Sequence, residues 1–402
     1  MLMIISTAVM SLLIMRGHLF NRFFINSIKR DVLESNVSSV FSIYCEGEMD
    51  FSTGDNFLMD LFGDTLDIVS VEKKKWGLYD LITVSAGWRN LSVKKTGLFG
   101  TDLDRGKGIA VYLKDTGINL SLSGSSFVRG VCYTSDGIVS SASIEGYPFI
   151  FQKTVEGRVE KSEKIFPLID MEAYESITSL FYGSDNYLPI SDLVSNSVEN
   201  SFYEPASVYY ADTSITLRRV SFKGNIILSV NGTLTIERTA YLENVIMLAR
   251  KIVVDEGSSG SFQAFALEEI VVKKGALLEY PCVLAVVHDS VKKFTERPAV
   301  ILEENTTVPG GIFVITNDDT GFIKISKNAA VYGQVYCNGA IEHSGNVFGS
   351  VYCNNFSFTS FQMRYFNHLL NANVDFSRLP ARFSGVDINN ENPKKSLIAW
   401  LN

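Results

Sequence analysis

Leu234-Thr-Ile-Glu-Arg, Ile252-Val-Val-Asp-Glu and Ile270-Val-Val-Lys-Lys begin 18 residues apart, each setting an apolar run ahead of charged residues. The pattern returns at Val300-Ile-Leu-Glu-Glu, Phe322-Ile-Lys-Ile-Ser and Ala340-Ile-Glu-His. A unit this short cannot bury an apolar face alone, so it predicts a solenoid in which each coil is completed by its neighbour. At about 3.3 Å per residue the repeat length makes one triangular or flattened coil of a parallel β-helix. Small or polar corners (Gly257-Ser-Ser-Gly, Gly275-Ala, Asn328-Ala-Ala) separate these runs from second β-runs such as Val245-Ile-Met-Leu-Ala and Ile312-Phe-Val-Ile. The starts lie 30 residues apart between Ile270 and Val300 and 22 apart between Val300 and Phe322, so loops are expected to protrude at 288–297 and 317–321.

The fold class expected is mainly β, with the parallel β-helix over 206–360. Ser121-Leu-Ser-Gly-Ser-Ser-Phe-Val-Arg-Gly-Val-Cys-Tyr shares the small residues and glycine of the later coils, predicting an early solenoid coil over 118–150. A helical insertion over 151–205 separates the two, with short helices at Leu168-Ile-Asp-Met-Glu-Ala-Tyr and Ile190-Ser-Asp-Leu-Val-Ser-Asn. Residues 46–117 read as a small antiparallel β region: Leu66-Asp-Ile-Val-Ser-Val, Leu81-Ile-Thr-Val-Ser-Ala and Ile109-Ala-Val-Tyr-Leu are short apolar runs between turn residues, and Trp76 and Trp88 suit core or cross-strand packing. The tail, 361–402, carries Phe361, Met363, Tyr365, Phe366, Leu397, Ile398, Trp400 and Leu401, suited to a terminal cap over an open solenoid end.

The amino terminus, 1–45, reads as a transmembrane and amphipathic helix. Leu2 to Met15 carries no charge; at about 1.5 Å per residue it covers ~21 Å, short of the ~30 Å hydrocarbon layer. Apolar character continues through Leu19, Phe20, Phe23, Phe24, Ile25 and Ile28, among Arg16, Arg22, Lys29 and Arg30. Phe20, Phe24, Ile28 and Val32 share i, i+4 spacing, so one helix continues to about Cys45, with residues 2–28 meeting the lipid bilayer. No basic segment precedes the run and no small-x-small site follows it, which speaks against a cleaved signal peptide. The chain starts inside its own apolar segment, so an internal start codon with a lost basic leader is expected. The basic residues after the span would by themselves hold the body in the cytoplasm; a single-pass inner-membrane protein with a periplasmic body is the expectation set against that. A buried helix of a soluble protein competes, but the strand-rich remainder offers no helical layer to cover it.

The 402 residues are 46% hydrophobic and 20% charged, ordinary for a globular chain. A net charge of −8 excludes nucleic acid as a natural partner, since phosphate binding needs a basic face. Five cysteines without a CxxC pair exclude a disulfide scaffold and a zinc site. Cys337 and Cys353 hold matching places in Val331-Tyr-Gly-Gln-Val-Tyr-Cys-Asn and Val347-Phe-Gly-Ser-Val-Tyr-Cys-Asn, so they should stack on adjacent coils about 4.8 Å apart as packed thiols, a disulfide being the alternative. Asn338 and Asn354 should form a short amide ladder beside them.

Candidates for a catalytic carboxylate pair are Asp255, Glu256, Glu268, Glu269, Glu303 and Glu304. They alternate with Lys273, Lys274 and Lys324 and read as a solvated, charge-mixed edge. His18, His288, His343 and His368 are scattered, suggesting neither a metal site nor a Ser-His-Asp arrangement. His288-Asp289 and Asp318-Asp319 are loop positions for a cation, read as solvated acids. No phosphate loop or dinucleotide fingerprint occurs. No catalytic, cofactor-binding or metal residue is therefore assigned, no small-molecule cofactor is expected, and the chain reads as non-enzymatic.

Val331-Tyr-Gly-Gln-Val-Tyr-Cys-Asn-Gly and Val347-Phe-Gly-Ser-Val-Tyr-Cys-Asn resemble the small-residue coils of bactofilin-type polymer-forming β-helix proteins, over about a third of the chain. The whole layout is similar to membrane-anchored proteins of Bacteroidota that accompany type IV pilin-like (pseudopilin) components, although the pilin Gly-Phe cleavage site and the following Glu are missing. These resemblances imply a structural or assembly component of the cell envelope with protein partners. Competing readings are a glycan- or surface-binding adhesin using the loops at 288–297 and 317–321, a polysaccharide lyase or hydrolase acting through Asp255 or Glu303, and a cytoplasmic bactofilin-like polymer.

Overall fold

One inward row of side chains organises the stack. Leu234, Ile252, Ile270 and Val300 are Cα partners in successive parallel strands, and the row continues through Ile323 and Ile341. The repeat read at Phe322 and Ala340 is therefore one residue out of register. Phe322 faces outward, where the Arg297 guanidinium lies 4.5 Å from its ring, leaving Ile323 to fill the core. In a computed structural model, described over residues 2–47, 53–54, 56–63, 68–103, 108–182, 188–190, 196–288, 297–360, 363–388 and 394–401, the chain is mainly β, with a long N-terminal helix, an antiparallel sheet and a parallel solenoid of about 11 turns.

The stack does not follow chain order. Asn346–Thr359 is covered by Ile109–Leu113 and Asn373–Asp375. Val131–Thr134 and Phe127–Arg129 pair with those, and Val155–Glu156 and Val159–Lys161 come last. The early coil thus lies beyond the C-terminal ones, and Ile109–Leu113, expected in the antiparallel region, is a parallel solenoid strand. The open edge of Asn346–Thr359 accepts any strand of matching apolar alternation, whatever its distance in the chain. The tail is correspondingly more than a lid. Asn373–Asp375 and His368–Leu370 complete the coil begun by Ile109–Leu113, and Lys395–Leu401 joins the antiparallel sheet. Phe149 packs against the core at the far end, beside short edge strands bearing Glu156, Glu160 and Lys161, which discourage further pairing.

Glycine shapes one corner. Gly310, Gly333 and Gly349 are stacked partners with φ near +155°, and a Cβ on Gly333 would sit 2.0 Å from the Gly310 carbonyl oxygen. Successive coils approach too closely there for any side chain, which accounts for the Gly-x-Val pattern.

The antiparallel sheet comprises β1 (Asn56–Asp60), β2 (Ile68–Trp76), β3 (Tyr79–Trp88) and β4 (Leu91–Asp102). Helix α1 (Leu2–Glu46) lays Leu33, Val37, Val40, Phe41 and Tyr44 on it against Val69, Val71, Ile82, Val84 and Phe99. The insertion holds helix α2 (Met171–Tyr182). Where a second helix was expected, Ile190 follows Leu188–Pro189, a pair of residues in parallel register with Tyr209–Tyr210, and 191–195 lie outside the described residues. Sheet and solenoid are joined by two buried glutamines. Gln263 donates to the Trp76 carbonyl (2.8 Å) and accepts from the Leu78 N–H (3.0 Å). Gln334 does the same with both backbone groups of Val386, at 3.1 and 2.7 Å.

Candidate functional site at the helix–body junction

Helix α1 has two parts with opposite surroundings. Its last turns are buried against the sheet, while every side chain described from Met3 to Asp31 is exposed, including Ile14 at 70%, Phe20 at 72% and Phe23 at 75%. The free part extends about 45 Å from the body at 1.5 Å per residue, more than the ~30 Å hydrocarbon layer. It is long and apolar enough to cross a membrane. A bare apolar surface of this extent is stable only against lipid or another apolar partner.

The buried part runs antiparallel to β3. The Lys29 ammonium lies 5.7 Å from the Trp88 ring at one end, and the Tyr44 hydroxyl donates to Asp80 Oδ2 at 2.7 Å at the other. Asp80, 3% exposed, is paired with Lys75 (2.6 Å) and Lys395 (3.2 Å). Lys75 also lies 3.4 Å from both Asp170 and Glu172, and Lys73 reaches Glu172 at the same distance. Anchor helix, β-hairpin, insertion and C-terminal strand meet in this one network. Burial alone would raise the Asp80 carboxyl, but Lys75, Lys395 and Lys73 outweigh it and hold the group well below the usual carboxylate range. Burial, then the Asp80 charge, pushes the Tyr44 hydroxyl far above its ordinary value, keeping it a donor. Sequence reading missed these residues; the one local sign is a strand whose alternate positions, Lys73 and Lys75, place two ammonium groups on one face.

The carboxylates singled out by sequence are taken up elsewhere. Asp255 pairs with Lys273 at 3.0 Å, Glu268 with Arg250 and Lys251, and Lys324 with Glu342 at 2.8 Å. Glu303 accepts the Lys274 N–H at 2.9 Å, Glu304 lies 4.0 Å from the Lys274 ammonium, Glu269 is the strand partner of Lys251, and Glu256 is exposed. The coil spacing that stacks apolar residues also sets opposite charges one above another. Asp318 accepts from the Thr320 hydroxyl (2.6 Å), Asp319 pairs with Lys114 (3.2 Å), and Asp289 lies outside the described residues, as does the loop through 296.

The histidines remain apart. His18 is exposed on α1, His288 Nδ1 lies 3.2 Å from the Leu267 carbonyl, and His368 Nδ1 lies 2.7 Å from that of Phe366. Among the described residues no group of three or more His, Cys, Asp or Glu side chains is placed to hold a metal. His343 is fully buried with Nε2 3.1 Å from the Asn373 carbonyl, and burial pushes its imidazole down to about 4 from 6.5. The folded state requires the neutral ring, so its contribution is present above about pH 6.5 and declines as pH falls towards 4. Melting temperatures measured across that window should fall more steeply for the wild type than for His343→Gln.

Cys337 and Cys353 are strand partners on adjacent coils, and all five thiols are free. Burial raises both groups, so they are inert packing residues. The expected amide ladder is absent: a register shift follows Cys337, Asn338 instead bonds both backbone groups of Thr316, and the Asn354 Oδ1 has no hydrogen-bond partner.

No protein-family model matches the chain, and no curated protein does. Among solved structures, the competence-associated pilin ComZ from Thermus thermophilus is similar at 9% identity, over 92% of this chain and 96% of that one, with a TM-score of 0.23.

Proposed function

We propose that the chain is a non-enzymatic, membrane-anchored structural or assembly component of a bacterial cell envelope, with its solenoid body in the periplasm, working with protein partners in a pseudopilus-like machine. The observation that carries this reading is the bare apolar part of α1, continuous with a segment locked to the body through Tyr44 and Asp80. An anchor that rigid transmits position and force rather than acting as a loose tether. The polymer-forming resemblance is set aside because the terminal coil is covered by Phe149 and ends in short charged strands, which favour a finite solenoid. The absence of an enzymatic role is supported by Asp255, Glu268 and Glu303, whose carboxylates bond lysines or arginines of neighbouring coils. Alkaline carbonate extraction of membranes containing the full chain should leave it in the pellet. Release into the supernatant would refute the anchor.

A further inference from the structure

Away from the junction, one flank of the solenoid carries a column of aromatic rings. Phe313, Tyr336, Tyr352, Tyr112 and Tyr133 are successive strand partners; the rings of Tyr112 and Tyr352 stack at 5.8 Å and those of Tyr112 and Tyr133 lie 5.4 Å apart. Beside the last three, segment 161–168, the end of β4 and residues 386–388 enclose a cleft of about 640 Å³. This size and aromatic wall suit a small-molecule site.

The polar lining specifies the ligand class. Thr101 and Ser350, both largely buried residues, line the cleft, and neither hydroxyl is among the buried side-chain atoms that lack a partner. A ligand hydroxyl can take the place of solvent at such groups. Asp102, Glu163 and Lys161, also lining the cleft, form no ion pair among the described residues. Hydroxyls, carboxylates and an ammonium together offer both acceptors and donors. Three carboxylates, those of Asp102, Glu163 and Asp387, against the one ammonium of Lys161 disfavour a phosphorylated ligand, and a purely apolar one would leave the polar lining without partners. A pyranose ring meets both, with hydroxyls for the polar rim and C–H groups for the ring edges that the stacked tyrosines turn to the cleft.

We infer that this cleft binds a short saccharide without transforming it. The site does not depend on the membrane anchor.

Saturation-transfer difference NMR on the full chain in lipid nanodiscs tests the inference, with maltotriose, triacetylchitotriose and trigalacturonate as neutral, amino-sugar and acidic probes at about 1 mM. At least one should show transfer to its ring protons. Ser350→Ala and Asp102→Asn should each weaken that binding about fivefold or more, with Glu304→Gln, on a distant coil, leaving it unchanged. Ser350→Ala only removes an oxygen and Asp102 is exposed, so neither change threatens the fold. Silence from all three probes overturns the inference. Equal binding by wild type and both cleft variants overturns it as well.

Discussion

Gly333→Ala should lower the melting temperature by about 3–4 °C, the shift expected for roughly 3 kcal/mol in a chain of 402 residues. A Cβ at this position meets the Gly310 carbonyl oxygen at 2.0 Å and the Phe383 ring at 2.5 Å. The carbonyl is backbone of the next coil and cannot rotate away, so relief requires coils to separate. The backbone conformation, at φ +153°, adds strain of about 1–3 kcal/mol for any residue with a side chain. Gly257→Ala is the matched comparison: its φ is +67°, yet nothing lies within 4 Å of a built Cβ. That variant bears the conformational cost alone, about 1 kcal/mol. Thermal unfolding followed by far-ultraviolet circular dichroism separates the two. Equal melting temperatures for both variants would show that the corner is not sterically closed.

Asp80→Ala is expected to cost about 3–5 kcal/mol, because it strands buried ammonium groups rather than merely removing one contact. Lys75, 6% exposed, would keep only its longer approaches to Asp170 and Glu172, and the Tyr44 hydroxyl would lose its acceptor. The sign with pH follows from the lowered carboxyl. Its contribution is present above the unfolded value of about 4 and is lost as pH falls through the lower folded value. The gap in melting temperature between wild type and variant should accordingly stay constant near neutrality and narrow below about pH 4. Hydrogen exchange adds a local readout. Protection should fall first over residues 33–46 and Lys395–Leu401, the two segments that Asp80 ties to the hairpin. Unaltered protection there would mean that the network does not fix the anchor.

What sequence reading reached and what it missed follow from how each feature is encoded. Leu234, Ile252 and Ile270 reveal the solenoid because the inward row repeats within a short window, and Cys337 and Cys353 fall into place for the same reason. The mixed-charge edge is equally local, since Asp255 and Lys273 stand one coil apart. Register is harder to read where a loop intervenes. Phe322 and Ile323 are both apolar, and the contact that covers the outward phenylalanine comes from Arg297, which lies just ahead of Ala299–Leu302 and far from Phe322 in the sequence. Stacking order is not encoded locally at all, because Ile109–Leu113 reads as any short β-run yet pairs with Val351–Cys353. The junction is the extreme case. Tyr44, Asp80, Asp170 and Lys395 have no shared spacing, and nothing short of the fold brings them together.

The apolar part of α1 and the locked junction that continues it fit a body anchored at a membrane, and the proposed function puts that body on the outer side. Protease treatment of intact spheroplasts expressing the full chain addresses that arrangement most directly. The account predicts that the body is digested while a cytoplasmic marker survives. Full protection of the body until the membrane is permeabilised would contradict it.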